Sequence, residues 1–290
     1  IPEPTYGGQL QDFAIQGVKP EGKVNISYTD VPVTFTDGTV VTLRKPTLTI
    51  TDLAFGEMHP KTQFSARVAP PMIGLGLLES IPEETILGFA KQQQQESRGV
   101  SGKANQVLDV RTNEMTLGRF GWKAGQPNLM QQNAAAFNGD LGLTSNLFPN
   151  ENCTSAQSTC TDFPDGGKPE VSDNILDFVE FYSQHLAVPI RRNVEDPQVV
   201  KGQALFTQSG CQSCHQTNIR TMEREDLPAL SKQLISPYTD MLLHDMGDGL
   251  SDGRVEFKAN EREFRTAPLW GLALHEKINK KAARLLHDGR

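Results

Sequence analysis

Residues 210–215 read GCQSCH: two cysteines three apart, with a histidine directly after the second. No other stretch limits the fold as much. Cys211 and Cys214 offer two sulfurs from one turn of backbone, and His215 offers an imidazole beside them. Three chemistries use such a group. A c-type haem is held by two thioether bonds, and the following histidine ligates its iron. A zinc knuckle needs four ligands at familiar spacings, and Cys153 and Cys160 are too far apart to be a second knuckle of the common kind. A redox disulfide of the thioredoxin type sits in a βαβ setting, whereas a helical pattern precedes Cys211. The residues satisfy the haem reading, with Cys211 and Cys214 as attachment points and His215 as the metal ligand.

A covalently held porphyrin must be packed by the chain around it, so the flanking segments matter. Residues 23–52 alternate apolar and polar and are rich in Val, Ile and Thr. With Asp37-Gly38 as a turn signal, they predict an antiparallel meander of about three strands. Residues 66–100 predict two helices, the second begun by Pro82 with Glu83 and Glu84 in its first turn. The QQQQ run in that stretch reads as a solvated helix end. Residues 101–170 are rich in Gly, Asn and Pro and predict loops, with one helix near 127–138. Residues 172–187 predict an amphipathic helix whose apolar residues are Ile175, Leu176, Phe178, Val179 and Tyr182. A linker at 189–196 leads to a helix capped by Asp196-Pro197, with Val199, Val200, Leu205 and Phe206 on one face. A domain boundary is expected near 195.

The chain has 290 residues and a net charge of −7, which gives no reason to expect nucleic acid as a partner. No run of about 18 apolar residues is present, so no membrane-spanning helix is expected. Cys153 and Cys160 lie in the polar loop ENCTSAQSTCTD and are expected to form a local disulfide, which implies an oxidising compartment. The residues downstream of His215 able to be a second axial ligand are Met222, Met241, His244, Met246, His275 and His287. His244 is polar among apolar neighbours, so it either finds a hydrogen bond or faces the cofactor. The acids of GDGLSDG miss the EF-hand spacing and read as a turn.

The series LFTQSGCQSCH, PYTDMLLHDMGDGLSDGR, REFRTAPLWGL and LLHDGR resembles the bacterial di-haem oxidoreductase family, a relative of the di-haem cytochrome c peroxidases. PEPTYGGQLQDFAI, APPMIGLGLLESIPE, GRFGWKAGQPNL and PEVSD resemble further blocks of that family, so the likeness covers nearly the whole chain. It implies haem c, one on this chain and a second in the full-length family, and an exported, periplasmic protein. Family members carry two CxxCH motifs, the first upstream of the PEPTYGGQLQDF-like block, and continue past HDGR. The 290 residues are therefore expected to be an internal part of a longer polypeptide, with the distal ligand of the second haem beyond its end.

The resemblance also implies a fold and a chemistry. The expected fold is α+β: a β-containing region with helices over 1–195 and a mainly helical, cytochrome c-like domain over 196–290. The expected activity is reduction of a peroxide such as hydrogen peroxide with electrons from a small redox donor protein. Gln132 and Asp140 fall where relatives place the polar and acidic groups that assist O–O cleavage, and Glu79 is a second candidate acid. Trp122 reads as an aromatic bridge between haems or a core anchor, Trp270 as packing on the haem, and Arg265 as a partner for a haem propionate. The rival readings are a plain electron carrier and an accessory haem protein in iron handling.

Overall fold

The computed structural model describes residues 2–96, 99–160, 162–279 and 284–290. In chain order its strands and helices are β1 (Lys23–Thr34), β2 (Val40–Thr51), α1 (Leu75–Glu79), α2 (Glu83–Glu96), β3 (Gln106–Asp109), β4 (Glu114–Leu117) and α3 (Leu129–Leu141). Then follow α4 (Asp173–His185), α5 (Pro197–Gln208), β5 (Ile219–Arg220), β6 (Leu234–Ile235), β7 (Leu243–Asp245), β8 (Glu263–Arg265) and α6 (His275–Asn279). The strands pair only as two-stranded antiparallel ribbons: β1 with β2, β3 with β4, β5 with β6, and β7 with β8. The chain divides into two compact units. One comprises residues 1–69, 134–173 and 284–290, and the other residues 70–133 and 174–283.

The first unit is built on the β1–β2 hairpin, whose register runs from Lys23 opposite Thr51 to Thr34 opposite Val40. Asp37 accepts a hydrogen bond from the Thr39 amide, and Gly38 takes a left-handed φ of 85°, so the turn forms where Asp37-Gly38 predicts it. Two long strands replace the three expected. Pro46 lies within β2 opposite Tyr28. A two-stranded ribbon is all edge, and an edge position tolerates a residue with no N–H. Beside the hairpin, Tyr6 Oη donates to Gly56 O at 2.6 Å and accepts from the Phe55 amide at 3.0 Å. Cys153 and Cys160 are joined as a disulfide.

The second unit holds the main apolar core. Leu78, Ile81, Ile86, Leu117, Phe120, Leu129 and Leu242 cluster there, all nearly or fully buried. The buried face of α4 is Leu176, Ser183 and Gln184, and hydrogen bonds hold it in place. Ser183 and Asn133 bond each other, and Gln184 Nε2 donates to Glu79 Oε2 at 3.0 Å. This overturns the amphipathic reading of α4: Ile175, Phe178 and Tyr182 are exposed and only Leu176 is deeply buried. The apolar face of α5 is likewise open, with Val200 and Leu205 about half exposed. Near the C-terminal end of α4, α1 approaches so closely that a Cβ on Gly76 would lie 2.3 Å from Gln184 O. Backbone cannot yield as a side chain end can, so Gly76→Ala is expected to cost about 3 kcal/mol or more. Urea unfolding of the two proteins side by side measures it.

The expected helical cytochrome c-like domain over 196–290 is not what forms. Only α5 and the five-residue α6 are α-helical among the described residues there, with four two- or three-residue strands and tight 3-10 turns between them. The sequence contains the reason. Pro228, Pro237 and Pro268 interrupt helical hydrogen bonding. Lys232, Tyr238, Met241 and Phe257 take positive φ, as do Gly247, Gly253 and Gly271, and a left-handed residue ends a right-handed helix. The fold is a loosely mixed arrangement of short helices and small antiparallel ribbons.

Candidate cofactor site

The site lies wholly within the second unit and begins where α5 stops. Asp196 caps α5, accepting from the Gln198 amide at 2.8 Å, and Pro197 is its first residue. At the far end Gly210 takes φ 77°, which turns the chain out of the helix and into a 3-10 turn over Cys211–Ser213. The His215 amide donates to Cys211 O at 3.0 Å. This closes one helical loop, so both sulfurs and the imidazole come from a single compact turn. Cys211 and Cys214 are half-buried and are not joined to each other.

His215 is oriented from behind. Its Nδ1 lies 2.6 Å from Tyr238 O. A carbonyl only accepts, so Nδ1 carries a proton, and in the neutral ring the lone pair is then on Nε2. That is how metal-ligating histidines are usually set, with the remote nitrogen donating to a carbonyl or carboxylate. The Phe206 ring of α5 stands edge-on to the imidazole at 6.2 Å and to Tyr238 at 5.6 Å, which fixes the plane of the ring. Tyr238 itself has φ 56°, a strained setting for a bulky residue.

A buried polar network grips the same turn from another side. Gln93 Nε2, on α2, donates to Ser213 O and to Asp240 Oδ2, both at 2.8 Å. Gln93 Oε1 accepts from the Gly102 amide at 2.6 Å. Asp240 is fully buried; its Oδ1 accepts from the Leu242 amide, and its Oδ2 lies 2.8 Å from His244 Nε2. His244 Nδ1 lies 3.8 Å from Cys214 Sγ. Burial works against a charged His244 ring, but the Asp240 carboxylate and the Cys214 sulfur outweigh it and raise its pKa to about 10. Cys214, Asp240 and His244 are close enough together to hold a metal ion. A closed zinc site needs a fourth ligand, and among the described residues none joins them.

Arg265 ends β8 opposite Leu243 of β7. Its Nε donates to Gly121 O at 2.9 Å and its Nη1 to Thr266 O at 3.2 Å and Met241 Sδ at 3.8 Å. Burial depresses its pKa to about 10, with Asp240 pulling the other way. The guanidinium is thus buried and held by carbonyls and a thioether. Two unjoined sulfurs on one turn and an imidazole held from behind by a carbonyl form a ligand set that fits a haem.

The other expected site residues lie as follows. His244 is at the motif, held as described, while Met246 is exposed one residue beyond β7, its amide on Arg262 O. Trp122 is half-buried and its carbonyl accepts from the Arg265 amide at 2.7 Å. Trp270 packs on the core and over Gly74, where a Cβ would lie 2.3 Å from the indole. Met241 is buried, Met222 is half-buried with its amide on Ser80 O, and His287 lies in the first unit. Gln132 and Asp140 both lie on α3, eight residues apart in the chain. Asp140 is exposed, and its Oδ1 accepts from Gln9 Nε2 at 2.8 Å within the first unit. Glu79 is taken up in packing: Oε1 accepts from the Leu129 amide at 2.7 Å at the start of α3, and Oε2 from Gln184. There its charge lies where the helix dipole favours it, and it supports Arg119, whose pKa burial pushes down.

Three residues at the site escaped sequence reasoning. Gln93 is buried while the three other glutamines of the QQQQ run are exposed. Tyr238 acts through its backbone, which leaves no side-chain signature. Asp240 did leave one: an acid four residues before His244, across an apolar run.

No curated protein and no solved structure matches the chain. The family profile described as "Di-haem oxidoreductase, putative peroxidase" matches residues 1–290. That match covers both compact units, the described site included, and the chain belongs to the di-haem oxidoreductase family.

Proposed function

We propose that the chain carries a haem c on Cys211 and Cys214, with His215 as axial ligand, and serves as a peroxidase-like oxidoreductase in the periplasm. The supporting observation is the His215 Nδ1 to Tyr238 O hydrogen bond at 2.6 Å, which leaves Nε2 free beside two unjoined thiols. When bound, the haem supplies an iron that accepts electrons from a donor and delivers them to a peroxide. The roles of the protein groups follow from their settings. Tyr238 O makes the imidazole a more basic ligand, which favours the oxidised metal. Arg265 neutralises a propionate, and Phe206 keeps the imidazole from rotating. Cys153–Cys160 suits an exported protein, since disulfides persist in oxidising compartments. The electron donor in this reading is a small redox protein, and the oxidant is hydrogen peroxide or a compound like it.

O–O cleavage needs a proton moved between the two oxygens and a polar group that orients the peroxide. Gln132 and Asp140 are the groups that the family likeness offers. Asp140 has its carboxylate in water and on Gln9, so Asp140→Asn is expected to change turnover by less than about twofold. A loss of about 100-fold, the lower end for removal of a general acid, would put Asp140 at the reacting oxygens. The reading as a whole is tested by adding hydrogen peroxide to the reduced protein with a reduced donor present. Catalytic donor oxidation supports it. An unreactive protein with two protein ligands on every iron would make it an electron carrier instead.

A further inference from the structure

We propose that Asp240 is a positioning residue for one of the two sulfurs: through His244 and Gln93 it sets Cys214, and not Cys211, for bonding to a haem vinyl group. The inference rests on reading Cys211–His215 as a haem-attachment motif.

Two arms run from the Asp240 carboxylate to the attachment turn. One passes through Gln93 Nε2, which bonds both Asp240 Oδ2 and Ser213 O, the carbonyl next to Cys214. The other passes through His244, whose Nε2 is on Asp240 and whose Nδ1 faces Cys214 Sγ. The first arm holds the backbone on which Cys214 is carried, and the second faces the sulfur itself. Asp240, Gln93 and His244 are all at least nine-tenths buried. In so dry a setting each polar group needs its partner, and the arrangement is held as a unit. Cys211 is differently placed: its carbonyl accepts from the His215 amide, but among the described residues no side chain hydrogen-bonds its sulfur.

The asymmetry has a chemical consequence. Thioether formation adds a thiol across a vinyl C=C. The sulfur bonds to the inner carbon, the π bond is consumed, and the thiol hydrogen ends on the outer carbon. No electrons are exchanged with a third species. The step needs the sulfur aimed at the vinyl carbon, and a cysteine χ1 has three staggered wells to choose from. Fixing one of them removes that search. Cys214 has such a device and Cys211 does not, so loss of the network falls on the Cys214 bond.

The test uses the full-length protein made in a bacterium that attaches haem c in its periplasm. Asp240→Asn keeps the side chain's size but replaces one carboxylate oxygen by an NH2, which then faces either the Gln93 and His244 donors or the Leu242 amide, so the network loses an acceptor whichever way it turns. His244→Gln is the milder companion variant. The expected result is loss of the Cys214 thioether in most haem-bearing chains, read by alkylation of the freed thiol and peptide mass, with Cys211 still attached. The α band in alkaline pyridine moves to longer wavelength, because one vinyl group stays conjugated. Asp240→Glu restores part of the Cys214 attachment. Wild-type levels of both thioethers in both variants would overturn the proposal. Equal loss at both cysteines would overturn it too, since that marks general failure of the turn. A wild-type protein with neither cysteine attached would instead defeat the underlying haem reading.

Discussion

His215→Ala is expected to abolish peroxide-dependent donor oxidation, by at least about 100-fold, while leaving the haem covalently attached. The expected size follows from what lesser changes do: disturbing even a group that orients a metal ligand costs about 10- to 100-fold. Removing His215 takes away the ligand itself. It also frees Tyr238 O, which now accepts from Nδ1, and opens space beside Phe206. Cys211 and Cys214 remain, so the thioether bonds do not depend on the imidazole. The variant should keep its c-type absorbance, shift its Soret band as the iron loses a strong-field ligand, and regain part of its spectrum with added imidazole. Turnover within about tenfold of wild type would place the axial ligand elsewhere, because loss of a true ligand exceeds the second-shell range.

The largest expected effect on stability belongs to Lys123→Met. The Lys123 side chain is fully buried, and its Nζ donates to Asn260 O at 2.8 Å and Glu263 O at 3.0 Å. It pairs with Asp252 Oδ1 at 3.2 Å, a carboxylate only 4% exposed, and sits 3.9 Å above the Phe264 ring. Methionine fills much of the same volume but removes the ammonium from a buried carboxylate and from two carbonyls. Breaking a buried pair from one side costs about 3–5 kcal/mol. The damage should reach the cofactor site, because Phe264 pairs with His244 across β7 and β8 and Arg265 follows it. Urea unfolding should show the full loss, and haem incorporation should fall with it. A cost below about 1 kcal/mol, typical of an exposed pair, would mean that the cage relaxes without its cation.

The local signals in the sequence are accurate where the structure is local. Pro82 with Glu83 and Glu84 marks the start of α2, Asp196-Pro197 the start of α5, and Asp37-Gly38 the turn of the hairpin. Each depends on backbone preferences within a few residues, which a sequence states directly. The long-range features were not legible. Gln93 meets Asp240 across 147 residues, and nothing in a run of four glutamines says which one turns inward. The outward faces of α4 and α5 defied their apolar periodicity, because Ser183 and Gln184 dock α4 through hydrogen bonds. Periodicity reports where apolar residues fall, not whether anything covers them. The expectation of a helical domain around the motif came from family likeness, and the prolines and left-handed residues between 228 and 271 outweighed it.

The most direct test of the account is the alkaline pyridine spectrum of the purified full-length protein, taken with the mass of its 210–215 peptide. The expected result is a c-type haem spectrum and a peptide carrying one porphyrin through both Cys211 and Cys214. A colourless protein, or a peptide in which those two sulfurs are bonded to each other or to zinc, would contradict it.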